Sequence, residues 1–451
     1  MNLYHFFLLF IINIKFISCQ LILELTRNMK EPTEDNFLNY LIDNGIETEI
    51  KVGNPSQKII FTVNFNQHAF YISPTEKGGQ YNYKLSNTYS NHTGNKYFYK
   101  QQCLGEGFEG SESFIFKTID EEDRTIKDLI FIMAENKNGE YCPKLLNAQL
   151  GLTYIKYSKY YDSNLITYLN KKEIVNSYAF HFQFANDSNE KDYLIIGGYP
   201  HEYDSENYNN KNLIKGNVEV QNFWSITMRV EIENNTSIIV NDFKFNILLK
   251  GIEGSFSYQK VIYRIFFEEY VDNNLCFKNY GKGNYEDYFY YTCDLGVDIS
   301  KLPNLYFQFF SMNYTFNLTY NDLFIKLNNK YYFLIVFNKK ISQDWVLGEL
   351  FIKKYNIIFD ENSESISLYT YFTSNKKKKD KKDENNGTKG NNSFLKTLIF
   401  IFFCSTIILS ILLYNIILKF PRKKRANELD ETFEYNSKDI VQKTDYSKLI
   451  N

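Results

Sequence analysis

Ile46-Glu47-Thr48-Glu49-Ile50-Lys51-Val52-Gly53-Asn54-Pro55-Ser56-Gln57-Lys58-Ile59-Ile60-Phe61-Thr62-Val63-Asn64-Phe65-Asn66-Gln67-His68-Ala69 is the stretch that decides the fold. Apolar and polar residues alternate from Ile46 to Val52, the period of a strand with one buried face. Gly53-Asn54-Pro55-Ser56 is turn chemistry, and strand patterning resumes from Ile59 to Phe65. That strand runs into the short loop Asn66-Gln67-His68-Ala69. Further strand-like runs lie at 114–116, 129–133, 178–184, 193–196, 224–232, 305–310, 332–337, 355–359 and 366–369. Helical patterning is confined to 163–169 and 258–270. Many short strands with few helices predict an all-β fold.

The ends of the chain predict a compartment. Residues 4–17 are apolar apart from Lys15, and small residues follow at Ser18-Cys19, so 1–19 reads as a secretory signal peptide. The run Thr397 to Leu418 carries no charge and is long enough to cross roughly 30 Å of hydrocarbon as a helix. Pro421-Arg422-Lys423-Lys424-Arg425 follows it, as expected on the cytoplasmic side. A basic run at 376–382 flanks the other end and argues the opposite way; the signal peptide settles the expectation. The expected organisation is a signal peptide (1–19), a short N-terminal segment (20–43), an N-terminal β lobe (44–215) and a C-terminal β lobe (216–372). A charged low-complexity stalk (373–393), a transmembrane helix (394–420) and a cytoplasmic tail (421–451) complete it. The protein is thus expected to be single-pass, type I, with its ectodomain in a secretory or endolysosomal lumen or at the cell surface.

A net charge of −2 gives no support to nucleic-acid binding. Cys103, Cys142, Cys276 and Cys293 lie in the ectodomain, and four cysteines allow three pairings. The simplest is local, Cys103–Cys142 and Cys276–Cys293, which suits an oxidising compartment. A metal site is the rival, but no His stands at ligand spacing, so neither metal nor cofactor is expected. Sequons at Asn91, Asn186, Asn234, Asn235, Asn313 and Asn317 fit a glycoprotein.

Several stretches, in order, resemble the pepsin-like aspartic proteases. Val52-Gly53-Asn54-Pro55-Ser56-Gln57 resembles the turn before their first active-site strand. Cys103-Leu104-Gly105-Glu106-Gly107-Phe108-Glu109-Gly110 resembles their flap hairpin. Leu150-Gly151-Leu152 resembles the element that supports the first active-site loop, and Leu194-Ile195-Ile196-Gly197-Gly198 the strand closing the first lobe. Phe223-Trp224-Ser225-Ile226 resembles the start of the second lobe, and Leu302-Pro303-Asn304-Leu305-Tyr306-Phe307, after Cys293, one of its later strands. Trp345-Val346-Leu347-Gly348-Glu349-Leu350-Phe351, with Tyr355 and Ile358-Phe359-Asp360, is similar to that lobe's final motif. The resemblance covers 44–370 and implies two β lobes related by a pseudo-twofold axis, with Gly151 and Gly348 as symmetry mates.

The chemistry implied needs two carboxylates, one per lobe, sharing a proton and a water; their pKa values split because like charges this close cannot both ionise. The first Asp position is Asn66, and no Asp occurs between Asp43 and Asp120. Gln67 replaces a Thr, His68 a Gly, and Leu104 stands nearest to the flap Tyr. In the second lobe, alignment of the run Ile247-Leu248-Leu249-Lys250 puts Lys250 at the Asp position, and a one-residue shift puts Leu249 there. Residues 20–43 are short for the family's inhibitory prosegment. The expectation is a membrane-anchored pseudo-protease whose interlobe cleft binds an extended peptide or protein. One rival is an active divergent endopeptidase using displaced acids such as Glu253 or Asp242. Another is a structural surface glycoprotein. Tyr446-Ser447-Lys448-Leu449 fits a sorting-adaptor pattern, with an ordinary disordered tail as the bland alternative.

Overall fold

The computed structural model describes residues 20–27, 31–43, 45–65, 70–77, 79–99, 105–134, 148–153, 164–185, 190–218, 224–233, 239–340 and 344–370. The expected signal peptide, stalk, transmembrane segment and tail lie outside them. No helix among the described residues is long and apolar enough to cross a membrane.

Two sheets carry the fold. The first holds β1 (Leu21–Arg27), β2 (Ile46–Val52), β3 (Gln57–Asn64), β4 (Phe70–Ile72), β5 (Ser90–Tyr99), β6 (Gly105–Thr118) and β7 (Asp123–Ala134). It continues with β8 (Ala148–Gly151), β9 (Ala179–Gln183), β10 (Asp192–Ile196) and β11 (Leu213–Asn217). The second holds β12 (Ser225–Ile232), β13 (Ile239–Phe245), β14 (Ile252–Gly254), β15 (Cys276–Tyr280), β16 (Tyr288–Asp294) and β17 (Leu305–Phe309). Its remaining strands are β18 (Tyr314–Leu318), β19 (Phe324–Leu327), β20 (Lys330–Phe333), β21 (Ile335–Asn338) and β22 (Trp345–Leu347). β23 (Ile358–Asp360) and β24 (Ser365–Tyr369) cross back and join the first sheet between β9 and β11. The all-β expectation therefore holds, with one sheet per lobe.

Sheet membership departs from the expected lobe limits at two places. Residues 21–27, read as part of a plain N-terminal segment, form β1, which pairs with β10 and β2. Leu21, Leu23 and Leu25 are buried, so this strand had an alternating face that its short length concealed. Residues 358–369 belong by pairing to the first sheet, because Phe359 is needed in the core between the lobes.

That core is aromatic. The Phe359 ring lies 5.0 Å from Phe65, 5.1 Å from Trp224 and 5.5 Å from Phe245, all edge-on. Such contacts add about 0.5–1.5 kcal/mol each beyond burial. Phe65 follows the end of β3 and Phe245 ends β13, the strands that enter the two loops, so both loop entries stand on one floor. The turn between β2 and β3 requires a glycine. Gly53 has φ +87°, and a Cβ there would meet Ser86 Oγ at 2.9 Å.

Helices are few. The structure gives α1 (Phe37–Ile42), α2 (Leu165–Lys171) and α3 (Glu349–Tyr355). Asn164 caps α2 by accepting from the Ile166 and Thr167 amides. The helical expectation for 258–270 is met by three consecutive helical segments, Gln259–Ile262, Tyr263–Phe267 and Glu268–Asp272. Cys276 and Cys293 face each other across β15 and β16 and form a disulfide. Cys103 and Cys142 lie outside the described residues.

Candidate active site

Each lobe builds its loop in the same way. In the first, β3 runs parallel to β8 with Asn64 opposite Gly151, and β4 returns antiparallel with Phe70 opposite Leu150. In the second, β13 runs parallel to β22 with Phe245 opposite Leu347, and β14 returns with Ile252 opposite Leu347. Leu150-Gly151 and Leu347-Gly348 are thus equivalent, as the sequence predicted. The register has a further consequence. Asn64 matches Asn246 and Phe70 matches Ile252, so the two loops have equal length.

Counting inward from these pairs sets the loop positions in order. Asn66 answers to Leu248, Gln67 to Leu249 and His68 to Lys250. The alignment placed Lys250 at the second Asp position, or Leu249 on a one-residue shift; the count from the paired strands sets Lys250 level with position 68. Asn66, Gln67, His68 and Leu104 themselves lie outside the described residues. Gly105 and Gly107 sit at the start of β6, paired with Tyr99 and Tyr97 of β5, as a hairpin flap requires. At Gly107 a Cβ would meet Ile132 Cγ2 at 2.7 Å, so that position needs a glycine.

The entry to the first loop is held by neutral hydrogen bonds. Thr153 Oγ1 donates to the Phe65 carbonyl, and the Leu152 amide donates to the Asn64 carbonyl at 2.8 Å. Trp224 Nε1 donates to the Leu152 carbonyl at 2.6 Å, tying this support to the start of the second lobe.

The second loop is held by charge. Lys250 Nζ pairs with Glu349, the first residue of α3. Arg27 of β1 reaches the same carboxylate at 2.9 Å and Asp192 of β10 at 2.6 Å. Glu349 is fully buried and Lys250 nearly so. Burial pushes the Lys250 ammonium below its usual range, and Glu349 opposes that shift. The carboxylate also sits in the first turn of α3, where the helix dipole favours it. Loop carbonyls finish that helix start: Leu249 accepts from the Glu349 amide at 2.7 Å, Lys250 from Leu350 at 3.0 Å and Gly251 from Gly348 at 3.0 Å.

A segment of the N-terminal region closes the loop from outside. The Leu41 carbonyl of α1 accepts from the Lys250 amide at 2.8 Å, and the Tyr40 ring lies 5.9 Å from Lys250 Nζ. Phe37, Leu38 and Leu41 pack with Tyr332, Leu334 and Val336 of the second lobe. Sequence reading missed these partners. Arg27 and Tyr40 lay in a segment with no motif, and only strand register brings Glu349 to Lys250.

The displaced acids have separate surroundings. Asp242 accepts from Thr227 Oγ1 at 2.8 Å across the β12–β13 pair. Glu253 lies two residues past the loop on β14, where its counterpart in the first lobe is Tyr71. Burial raises its carboxyl to about 7, and Oε1 has no hydrogen-bond partner among the described residues. No group of three or more potential metal ligands occurs among the described residues.

No curated protein matches the chain. A family model described as eukaryotic aspartyl protease matches residues 48–370, from within β2 to the residue after β24. That span holds both loops and both supporting glycines, and on it the chain belongs to the eukaryotic aspartyl protease family.

Proposed function

We propose that this chain is a catalytically silent, membrane-anchored aspartyl protease relative whose interlobe groove holds an extended peptide or protein. The loop sequences carry the reading: counted from the paired strands, position 66 is Asn and position 248 is Leu, and neither is an acid. An amide and an isobutyl group cannot share a proton or activate a water, and the reaction needs two carboxyls to do both. The Lys250–Glu349 pair, joined by Arg27, also supports it, since it takes up the one charged side chain of residues 247–251 in an ion pair. The uncharged run at 397–418 and the apolar run at 4–17 support the anchor and the luminal placement of the groove. Incubation of the purified protein with a diverse peptide library, from acid to neutral pH, tests the reading. Retention of peptides without cleavage is expected. Cleavage that a pepstatin-type inhibitor blocks would overturn it.

The buried Glu253 carboxyl, whose Oε1 has no hydrogen-bond partner among the described residues, favours a second reading, an endopeptidase working with a displaced acid. It predicts that Glu253→Gln abolishes any cleavage seen in the same assay.

A further inference from the structure

Each sheet ends in strands that pair with another strand on one side alone; side chains meet some of their outer backbone groups, as where Lys354 Nζ and Tyr355 Oη donate to the Asn317 carbonyl of β18 at 2.5 and 2.7 Å and the Asn217 amide of β11 donates to Ser311 Oγ at 3.1 Å. β5 ends the first sheet and pairs only with β6; β18 ends the second and pairs only with β17. Such edges invite pairing with another chain unless something blunts them. The opposite ends carry exposed lysines, Lys215 on β11 and Lys326 on β19. Strand β18 has no lysine, and its five residues are Tyr314-Thr315-Phe316-Asn317-Leu318.

The sequons that fall on described residues lie on these two edges. Asn91-His92-Thr93 is in β5, and Asn91 is exposed. Asn313-Tyr314-Thr315 opens β18, with Asn313 exposed in a left-handed turn at φ 48°. Asn317-Leu318-Thr319 closes the same strand. Asn317 and Thr315 are exposed while Phe316 and Leu318 are buried, so Asn317 projects from the solvent face. An acceptor asparagine must present its amide free of the core, and all three do.

We propose that Asn91, Asn313 and Asn317 carry N-linked oligosaccharides, and that these glycans shield the free edges of both sheets. The inference rests on the secretory routing in the reading above. In each transfer the side-chain amide nitrogen bonds to the anomeric carbon of a lipid-pyrophosphate-linked oligosaccharide. The anomeric carbon–oxygen bond breaks, the lipid pyrophosphate leaves, and the amide gives up one proton.

The full chain, expressed in a eukaryotic secretory host and purified in detergent, is digested and its glycopeptides are mapped by mass spectrometry. Enzymatic deglycosylation, which converts each modified Asn to Asp, is expected to mark Asn91, Asn313 and Asn317. Modification at Asn234 or Asn186 with those three bare overturns the inference and leaves the routing standing. A chain bare at every sequon overturns both. Shielding is read from a triple variant, Asn91→Gln, Thr315→Ala and Asn317→Gln, in which Asn313 keeps its left-handed turn. Sedimentation velocity is expected to show a several-fold rise in dimers and larger species. An unchanged distribution removes the shielding role.

Discussion

The two loops of this molecule have the same length, the same flanking register and the same aromatic floor, yet they are held by different physics. Asn64 and Phe65, which lead into the first loop, hang from hydrogen bonds to Leu152 and Thr153 and, through Leu152, to Trp224. Residues 247–251 are fixed by a buried ion cluster and by the Leu41 carbonyl. The scaffold specifies where each loop runs, through strand pairing and the Leu-Gly elements. It does not specify what the loop contains. The second loop carries a lysine, and its pairing with Glu349 makes that loop a structural joint.

That contrast breaks most visibly at Glu349. Glu349→Gln leaves the Lys250 ammonium buried beside a neutral amide, while Arg27 keeps Asp192. Loss of one partner of a buried pair costs about 3–5 kcal/mol. Chemical unfolding should show a loss of this size, and Lys250→Met added to Glu349→Gln should recover most of it. A loss below about 1 kcal/mol would mean that charge does not hold this loop.

The first loop should be softer. Thr153→Val removes the donor to the buried Phe65 carbonyl and leaves that acceptor unsatisfied, at a cost of about 1–3 kcal/mol. If this exceeds the Glu349→Gln loss in the same unfolding assay, the ranking of the two joints is reversed.

Much of this arrangement was legible beforehand. Alternation from Ile46 to Val52, the Gly53 turn and the Leu-Gly repeats each depend on local periodicity, which a sequence displays directly. The Cys276–Cys293 pair was readable because it closes a short hairpin. The ion cluster was not, because its members come from β1, the second loop, β10 and α3, and nothing local links them. The place of Lys250 in its loop is hidden for a similar reason. Hydrophobicity cannot tell Leu248-Leu249 in a loop from the end of a strand, and only pairing with β22 can.

A third contrast concerns protons. Glu253 stands where the first lobe has Tyr71, and Glu361 is buried beside Thr167 of α2, which donates to it at 3.0 Å. Burial raises these carboxyls from 4.5 to about 7 and about 8 respectively. A raised carboxyl pKa gives stability that is complete below the unfolded value and is lost as pH rises to the folded one. His181 has the opposite sign: burial lowers it from 6.5 to about 3, so its contribution is lost as pH falls through that range. Two acids outweigh one histidine between pH 4.5 and 6.5, and above 6.5 the acids act alone. The melting temperature should therefore fall from pH 5 to 8, at up to about 1.4 kcal/mol per pH unit for each acid. Glu253→Gln and Glu361→Gln should each flatten the profile. A wild-type profile that rises from pH 5 to 8 would contradict the assignment.

The smallest expected effect is the most diagnostic. Asn66→Asp restores one acid, and cleavage of the peptide library should stay at background, because the register opposes position 66 with Leu248. A lone carboxylate can accept a proton from water, but no second acid protonates the scissile carbonyl oxygen. Lys250→Asp added to Asn66→Asp should also stay silent, since position 250 answers to 68. The matched pair is Asn66→Asp with Leu248→Asp. Activity from Asn66→Asp with Lys250→Asp, but not from the matched pair, would show that the loops are offset by two residues and that the equivalence drawn from β8 and β22 does not extend to their tips.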